Sequence, residues 1–275
     1  MRIGIDVGGT FTDVVMMDRN DRFFYVKTPT THQDLAEGVL NGIDEVMRIS
    51  HQSLRPMDTI IHGTTIGTNA IVEKKGAKVG LLTTKGFEDV LEIRRVARPT
   101  HAAYDFEVDN PPPLVPRYLR RGINERVNSK GDVVVPLDED SARESVQFLK
   151  DLGIEAITIS LLFSFLNPTH ERKVAEICRE IHPEARLSLS SEVCPEFREY
   201  ERTCTTVMNS YLGPVIAKYM RNLIGRLHDK YHDVNVHIMQ SNGGSMTVEM
   251  AETHAANLIN SGPAAGAMAT AFLAD

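Results

Sequence analysis

The feature that most constrains the fold is the segment from Arg2 to Asp18, RIGIDVGGTFTDVVMMD. From Ile3 to Val7, apolar residues occupy every second position, which is the period of an extended strand. Two glycines end this strand. The residues from Phe11 to Met17 are rich in β-branched and apolar types and show no N-cap followed by a helical period, so they predict a second strand. The segment therefore predicts a hairpin with a tight glycine turn.

A hairpin at this place excludes two common nucleotide sites. A dinucleotide fingerprint needs its glycines to open a helix, and a P-loop needs a Gly-Lys-Ser/Thr sequence that is absent here. Gly8 and Gly9 can adopt backbone angles closed to residues with a Cβ, so the turn can be tight and its amides can approach an anion closely. The hydroxyls of Thr10 and Thr12 would add donors. The turn is therefore a candidate phosphate site.

Asp6 ends the first strand and is the candidate ligand for Mg²⁺, either directly or through water, because this ion keeps several waters and takes only one or two carboxylates. With Thr10, Thr12 and Asp13 in register, we interpret the hairpin as a phosphate site. The alternative is an ordinary hairpin with a primed Gly-Gly turn and a solvated or capping Asp6.

A second candidate group follows a buried strand predicted at Thr59 to His62. Gly63, Thr64 and Thr65 stand between this strand and a helix predicted from Ile66 to Lys75, at the carboxyl edge of the sheet, where open α/β sheets bind ligands. We interpret them as part of the active cleft, with their roles open. The alternative is a helix cap with a glycine turn.

The remaining pattern predicts an α/β protein. Strand, strand, strand, helix and strand open the chain, and a β-α-β-α-β succession follows, ending at residues 186–189. We expect these later strands to extend the first sheet as one parallel sheet with right-handed crossovers. A central arginine group is a candidate anion site, although we favour a solvated or subunit-contact face. It comprises Arg94, Arg95, Arg98, Arg117, Arg120 and Arg121.

The amino-acid composition argues against several classes of function. The chain has 275 residues with 42% hydrophobic and 24% charged residues, which is typical of a globular protein. A net charge of −7 argues against nucleic acid or a membrane surface as partner. No apolar run reaches the roughly 20 residues of a membrane span, and no signal segment precedes the first strand, so we expect a cytoplasmic protein. Three cysteines without CxxC spacing argue against disulfides and a thiolate zinc site.

The stretch IDVGGTFTDVV resembles the first phosphate hairpin of the sugar kinase, actin and chaperone ATPase superfamily. In this spelling it resembles the hydantoinase A/5-oxoprolinase family, which includes the ATP-dependent subunits of N-methylhydantoinase and of acetone-type carboxylases. Four later stretches are similar to the same family, so the resemblance runs essentially from end to end. They are HGTTIGTNAIVEKKGAKVGLLTTKGFEDVLEIRR, FREYERTCTTVMNSYLGP, MQSNGG and SGPAAGAMATAFL.

The resemblance implies a ribonuclease-H-like mixed sheet with flanking helices. It implies a hydantoinase/oxoprolinase N-terminal region over residues 1–188 and the start of the ATP-binding hydantoinase A domain over residues 189–275. The second phosphate hairpin of the family does not occur in this sequence, so we expect an incomplete second lobe, an amino-terminal portion of a longer or split enzyme, and little ATPase activity from this portion alone.

The resemblance also implies ATP and Mg²⁺ as cofactors and an ATP-dependent cyclic-amide hydrolase of the N-methylhydantoinase/5-oxoprolinase type as the function. Such an enzyme would activate a carbonyl oxygen by phosphorylation and would work with a hydantoinase B-type partner subunit on a small cyclic amide. The sequence identifies no general base. The alternatives are an acetone- or acetophenone-type carboxylase subunit, a kinase-like enzyme and a non-catalytic actin-like nucleotide-binding module.

Overall fold

The computed structural model describes residues 1–31, 33–56, 58–97, 105, 107–108, 111–232 and 234–274. The chain divides into two compact units, Met1–Gly76 with Val215–Asp275, and Ala77–Pro214. The division predicted between residues 188 and 189 lies inside the second unit. The first unit is therefore discontinuous in sequence.

The described residues form strands and helices that alternate over most of the chain, as expected of an α/β protein. The strands are β1 (Arg2–Val7), β2 (Phe11–Met17), β3 (Phe23–Pro29), β4 (Thr59–Thr64), β5 (Val79–Thr84), β6 (Arg120–Ile123), β7 (Arg126–Val127), β8 (Val133–Val135), β9 (Ala156–Ser160), β10 (Arg186–Leu189), β11 (Asn235–Met239) and β12 (Ser245–Met246). The helices are α1 (Leu35–Ser50), α2 (Ile66–Val72), α3 (Val90–Ile93), α4 (Glu139–Asp151), α5 (Thr169–Ile181), α6 (Ser190–Val193), α7 (Glu199–Tyr231), α8 (Val248–Thr253) and α9 (Ser261–Ala274).

The first unit is built on a mixed sheet in the order β12-β11-β4-β1-β2-β3. β1 is antiparallel to β2 and parallel to β4, and β4 is parallel to β11. The alternation of β1 buries Ile3, Ile5 and Val7 on one face, and α1 contacts β2 and β3. Asp34 caps α1 by accepting a hydrogen bond from the amide of Ala36. The predicted opening order of three strands, a helix and a strand is confirmed.

The second unit has its own four-stranded parallel sheet in the order β10-β9-β5-β6. The prediction that these strands extend the first sheet is wrong. The edge of β4 where β5 would have paired is taken by β11, in register from Thr59 with Asn235 to His62 with Ile238. A mixed α/β architecture is confirmed, but it is divided between separate sheets.

Two helices depart from the prediction. The sequence pattern predicts a helix from Phe87 to Arg95, but only the four residues of α3 are α-helical. The helix ends at Ile93 because Arg94, Arg95 and Val96 adopt positive φ angles of 50°, 55° and 58°. The sequence pattern also predicts a helix from Val207 to His228, whereas α7 begins earlier, at Glu199, and includes Pro214. None of the helices in the described ranges is both long and apolar enough to cross a membrane.

Candidate functional site

The turn between β1 and β2 doubles back as a hairpin. The amide of Gly8 donates to the carbonyl oxygen of Phe11 at 3.0 Å, which leaves Gly9 and Thr10 at the tip. Neither glycine has a positive φ, so the turn does not use the backbone angles that favour glycine. A Cβ on Gly8 would lie 3.2 Å from the Phe11 oxygen, whereas one on Gly9 would meet nothing within 4 Å. The missing side chain at Gly9 therefore leaves the tip open.

The tip of the hairpin has unbonded donors and bonded acceptors. Within the described part of the chain, the amide of Gly9 and the amide and hydroxyl of Thr10 have no hydrogen-bond partner. The carbonyl oxygen of Thr10 accepts from the amide of Thr30 at 2.9 Å, and that of Gly8 accepts from the Thr30 hydroxyl at 3.0 Å. Unbonded donors at a turn are what an anion site requires.

Thr12 and Asp13 do not add free groups to the tip. Thr12 is fully buried, and its hydroxyl shares a 3.1 Å hydrogen bond with that of Thr30, so it supports the hairpin from the core side instead of facing a phosphate. Asp13 accepts a 2.6 Å hydrogen bond from the hydroxyl of Tyr25 and lies 3.2 Å from the ammonium group of Lys27.

Asp6 differs from Asp13 in having no hydrogen-bond or ion-pair partner among the described residues. Partial burial is the main cause that raises the pKa of the Asp6 carboxyl. The negative charge of Asp13, which is opposite Asp6 on β2, raises it further. Two backbone segments approach it closely. A Cβ on Gly63 would lie 3.3 Å from Asp6 Oδ1, and one on Gly262 would lie 3.7 Å away. Glycines on β4 and at the start of α9 therefore leave space around this carboxylate.

Thr64 and Thr65 connect the elements around the hairpin. The hydroxyl of Thr65 donates to the carbonyl oxygen of Val7 at 3.0 Å, and that of Thr64 accepts from the amide of Ile66 at 3.2 Å. The hydroxyl of Ser261, on α9, donates to the Thr64 carbonyl oxygen at 3.2 Å. Ser261 and Gly262 were not predicted as neighbours of the site.

Metal binding at this place would depend on Asp6. The described residues contain no group of three or more His, Cys, Asp or Glu side chains that could hold a metal. Mg²⁺ needs only one or two carboxylates and completes its shell with water and phosphate oxygens. A carboxylate without a partner, whose negative charge is disfavoured by its surroundings, fits such an ion.

The arginine group does not converge on one anion. The described members contact groups within the protein, with Asp89 shared between Arg117 and Arg120, and Arg98 lies outside the described residues. Arg94 contacts Tyr200, Arg95 contacts Glu201, Arg117 contacts Asp89, Arg120 contacts Glu92, and Arg121 lies over the ring of Phe148.

His62 lies in the core of the first unit. It is opposite Ile5 in the sheet, and its Nε2 shares a 2.8 Å hydrogen bond with the hydroxyl of Tyr219. Complete burial lowers the pKa of His62 to about 4, so its ring is neutral at pH 7. It is a structural residue, as a lone histidine usually is.

Two family models account for most of the chain. One, described as the hydantoinase/oxoprolinase N-terminal region, matches residues 2–182, and the other, described as hydantoinase/oxoprolinase, matches residues 202–275. The chain belongs to the hydantoinase/oxoprolinase family. The family resemblance found in the sequence is thereby confirmed.

The proteins that this chain is similar to include members of two groups, caprolactamase and carboxylase subunits. The alpha subunit of caprolactamase from Pseudomonas jessenii is 37% identical over 98% of this chain and 39% of the relative. The gamma subunit of acetophenone carboxylase from Aromatoleum aromaticum is 39% identical over 99% of this chain and 39% of the relative.

Solved structures from both groups share the fold. Nucleotide-free acetone carboxylase superposes with a TM-score of 0.90 at 28% identity, and ATP-dependent caprolactamase from Pseudomonas jessenii with 0.83 at 37% identity. The alignments cover 99% and 96% of this chain but 40% and 39% of those chains. This chain therefore spans about 40% of the length of these relatives.

Proposed function

We propose that this chain is the nucleotide-binding, amino-terminal portion of an ATP-dependent enzyme that opens cyclic amides, of the N-methylhydantoinase/5-oxoprolinase type. One observation carries the proposal. The hairpin tip has unbonded donors at Gly9 and Thr10, and the carboxylate of Asp6, also without a partner, ends the same strand.

The topology of the first unit supports a ribonuclease-H-like fold of the actin, sugar kinase and chaperone ATPase superfamily. Three antiparallel strands are followed by two strands parallel to the first, in the spatial order β3-β2-β1-β4-β11. In this assignment the hairpin of β1 and β2 is the first phosphate hairpin.

Each group at the site has a distinct task in this proposal. The amides of Gly9 and Thr10 and the Thr10 hydroxyl hold terminal phosphate oxygens of ATP. Asp6 holds Mg²⁺ directly or through water, and the ion neutralises charge on the phosphates. Gly63 keeps β4 close to Asp6 without crowding it, and Thr65 fixes the end of β1 through the carbonyl oxygen of Val7. Donors that are already in place need no rearrangement when charge develops.

The chemistry explains the need for ATP. An amide carbonyl is a poor electrophile. Transfer of a phosphoryl group from ATP to the carbonyl oxygen makes the carbonyl carbon more electrophilic, so that water can add to it. The ring C–N bond then breaks, the nitrogen takes up a proton, and an acyl phosphate remains. A second water hydrolyses the acyl phosphate to a carboxylate and phosphate. We propose a small cyclic amide as the substrate and a hydantoinase B-type partner subunit in the cytoplasm. The relatives are themselves named as subunits, which supports a partner.

A carboxylase is the second candidate, and a specific observation favours it. The nucleotide-free acetone carboxylase structure superposes with a TM-score of 0.90. In that case the same hairpin would hold ATP while bicarbonate or an enolate is activated by phosphorylation.

The test uses the full-length enzyme with its partner subunit. ATP consumption is measured with 5-oxoproline, hydantoins, ε-caprolactam, and acetone plus bicarbonate, and the substrate that stimulates it decides between the two reactions. Asp6→Asn and Thr10→Val should each abolish Mg-ATP hydrolysis without unfolding the protein. Thr10→Ser, which keeps the hydroxyl, should retain activity. Full activity in both Asp6→Asn and Thr10→Val would refute the assignment of the hairpin.

A further inference from the structure

The second unit contains a cavity of about 170 Å³ with mainly apolar walls. Leu91, Leu114, Val207 and the proline run Pro111–Pro113 supply most of these walls. An apolar protein cavity of about 150 Å³ can bind benzene, so the volume suits a single six- or seven-membered ring. All of the lining residues belong to the unit Ala77–Pro214, outside the hairpin unit.

One end of the cavity is polar. Arg94, Tyr200 and Cys204 line it, and Arg94 Nε donates to the Tyr200 hydroxyl at 3.4 Å. Arg94 Nη1 is buried and has no hydrogen-bond partner within the described part of the chain. A buried N–H group without an acceptor is costly, and more so when it is charged. Burial raises the pKa of the Cys204 thiol, so the thiol stays neutral and does not supply a compensating negative charge.

The backbone that carries Arg94 is strained. Arg94, Arg95 and Val96 all have positive φ angles, of 50°, 55° and 58°. This region is unfavourable for residues with a Cβ, and most unfavourable for a β-branched residue such as valine. Strain of this kind is characteristic of ligand clamps, where the surrounding structure maintains it. The segment holds the Arg94 side chain at the cavity while Arg95 pairs with Glu201.

We propose that this cavity binds a small neutral ring compound with a carbonyl oxygen, the class of a lactam or cyclic imide. The ring lies among the prolines and aliphatic side chains, and its oxygen accepts a hydrogen bond from the Arg94 guanidinium group. A neutral ring avoids the cost of placing a second charge against apolar walls. The identification of this compound as the substrate rests on the proposed function, whereas the binding site rests on the cavity itself.

The test is a titration of the ¹⁵N-labelled 275-residue chain with ε-caprolactam, followed through amide chemical shifts. Saturable shifts are expected at Leu91, Leu114, Tyr200 and Cys204. Azepane, which has the same ring size but no carbonyl group and a protonated amine, should produce none. Absence of saturable shifts with caprolactam up to its solubility limit overturns the proposal, as do equal shifts with azepane.

Variants examine the contact with Arg94. Arg94→Met should weaken binding about tenfold or more, because it removes a charged donor. Arg95→Met is the matched control, since Arg95 is adjacent but does not line the cavity, and it should bind as the wild type does. Met208→Trp, at a half-buried lining position, should fill the cavity and abolish binding. Wild-type affinity in both Arg94→Met and Met208→Trp overturns the proposal.

Mg-ATP is titrated into the same samples and followed at the amides of Gly9 and Thr10. Loss of lactam binding with intact ATP binding rejects the cavity proposal alone. Lactam binding without ATP binding supports the cavity, and the proposed function is then rejected if the full-length enzyme with its partner subunit also fails to bind Mg-ATP.

Discussion

Acidification should destabilise the first unit because one buried side chain, His62, becomes protonated more readily in the unfolded state. The ring is completely buried, and burial lowers its pKa to about 4. In an unfolded chain the same group titrates near pH 6.5. The unfolded state therefore binds a proton more tightly than the folded state does, and the stabilisation is fully present only above about pH 6.5. It is lost progressively as the pH falls from there through the folded pKa of about 4.

The magnitude follows from these two pKa values. Between pH 7 and pH 5, the unfolded histidine becomes almost fully protonated while the folded one stays neutral. Proton linkage then lowers the free energy of unfolding by about 2 kcal/mol at pH 5. This is a large part of the 5–15 kcal/mol that is typical of a folded domain.

Because the chain has two compact units, a single global unfolding energy is not well defined, and a local measurement is needed. Hydrogen exchange at the amides of β4 and β1, corrected for the intrinsic rate at each pH, reports the free energy of opening of the first unit. His62→Gln removes the titrating ring, and its amide oxygen can still accept from Tyr219. The variant should lose about 2 kcal/mol less than the wild type does between pH 7 and pH 5.

Tyr219→Phe is the second variant. It should lower the free energy of opening at pH 7 by about 1–3 kcal/mol, because the buried Nε2 of His62 is left without a hydrogen-bond partner. The pH dependence should persist, because burial and not the hydrogen bond lowers the pKa of His62. Equal acid sensitivity in wild type and His62→Gln would refute the reasoning.

Further predictions concern the core and the hairpin. Arg202 is buried and bonded to Ser190 and to two carbonyl oxygens, so Arg202→Met should cost about 3 kcal/mol or more in thermal unfolding, whereas the exposed Arg198→Met should not. A Cβ on Gly42 would lie 2.6 Å from a valine methyl of β2, and one on Gly225 would meet nothing within 4 Å. Gly42→Ala should therefore destabilise by about 1–3 kcal/mol, and Gly225→Ala should be neutral or stabilising in urea unfolding. Thr30→Val removes the hydroxyl that donates to the carbonyl oxygen of Gly8 in the turn. Calorimetry should therefore show that the affinity for Mg-ATP is reduced about fivefold.

Local chemistry made much of the fold predictable. The alternation of β1 and the glycines after it indicated the hairpin, and Asp34 and Asp138 cap the helices that follow them. The pairing of the strands was harder, because a β-α-β pattern does not specify which sheet edge a strand joins. The partner of β4 is β11, and the entire second unit lies between them in sequence.

The residues of the candidate site were likewise predictable only where a local sequence pattern determined their position. Thr12 was expected to donate to a phosphate, but it is buried. The sequence carried a signal for this burial, because the period of two groups Thr12 with the buried residues Val14 and Met16. The close approach of Gly262 to Asp6 had no local sequence signal, because this approach depends on how α9 packs across β4 and β11. The length of α3 was overestimated because the local sequence favours a helix, whereas the residues from Arg94 to Val96 adopt left-handed backbone angles.

The discontinuity of the first unit affects how this protein is made. Strands β1 to β4 leave the ribosome first, but the neighbour of β4 is supplied only after residues 77–214 have been synthesised. During that interval β4 exposes an unpaired, aggregation-prone edge, while the inserted unit already has all the strands of its own sheet. The yield of native protein should therefore depend on how well this edge is protected until β11 has been synthesised.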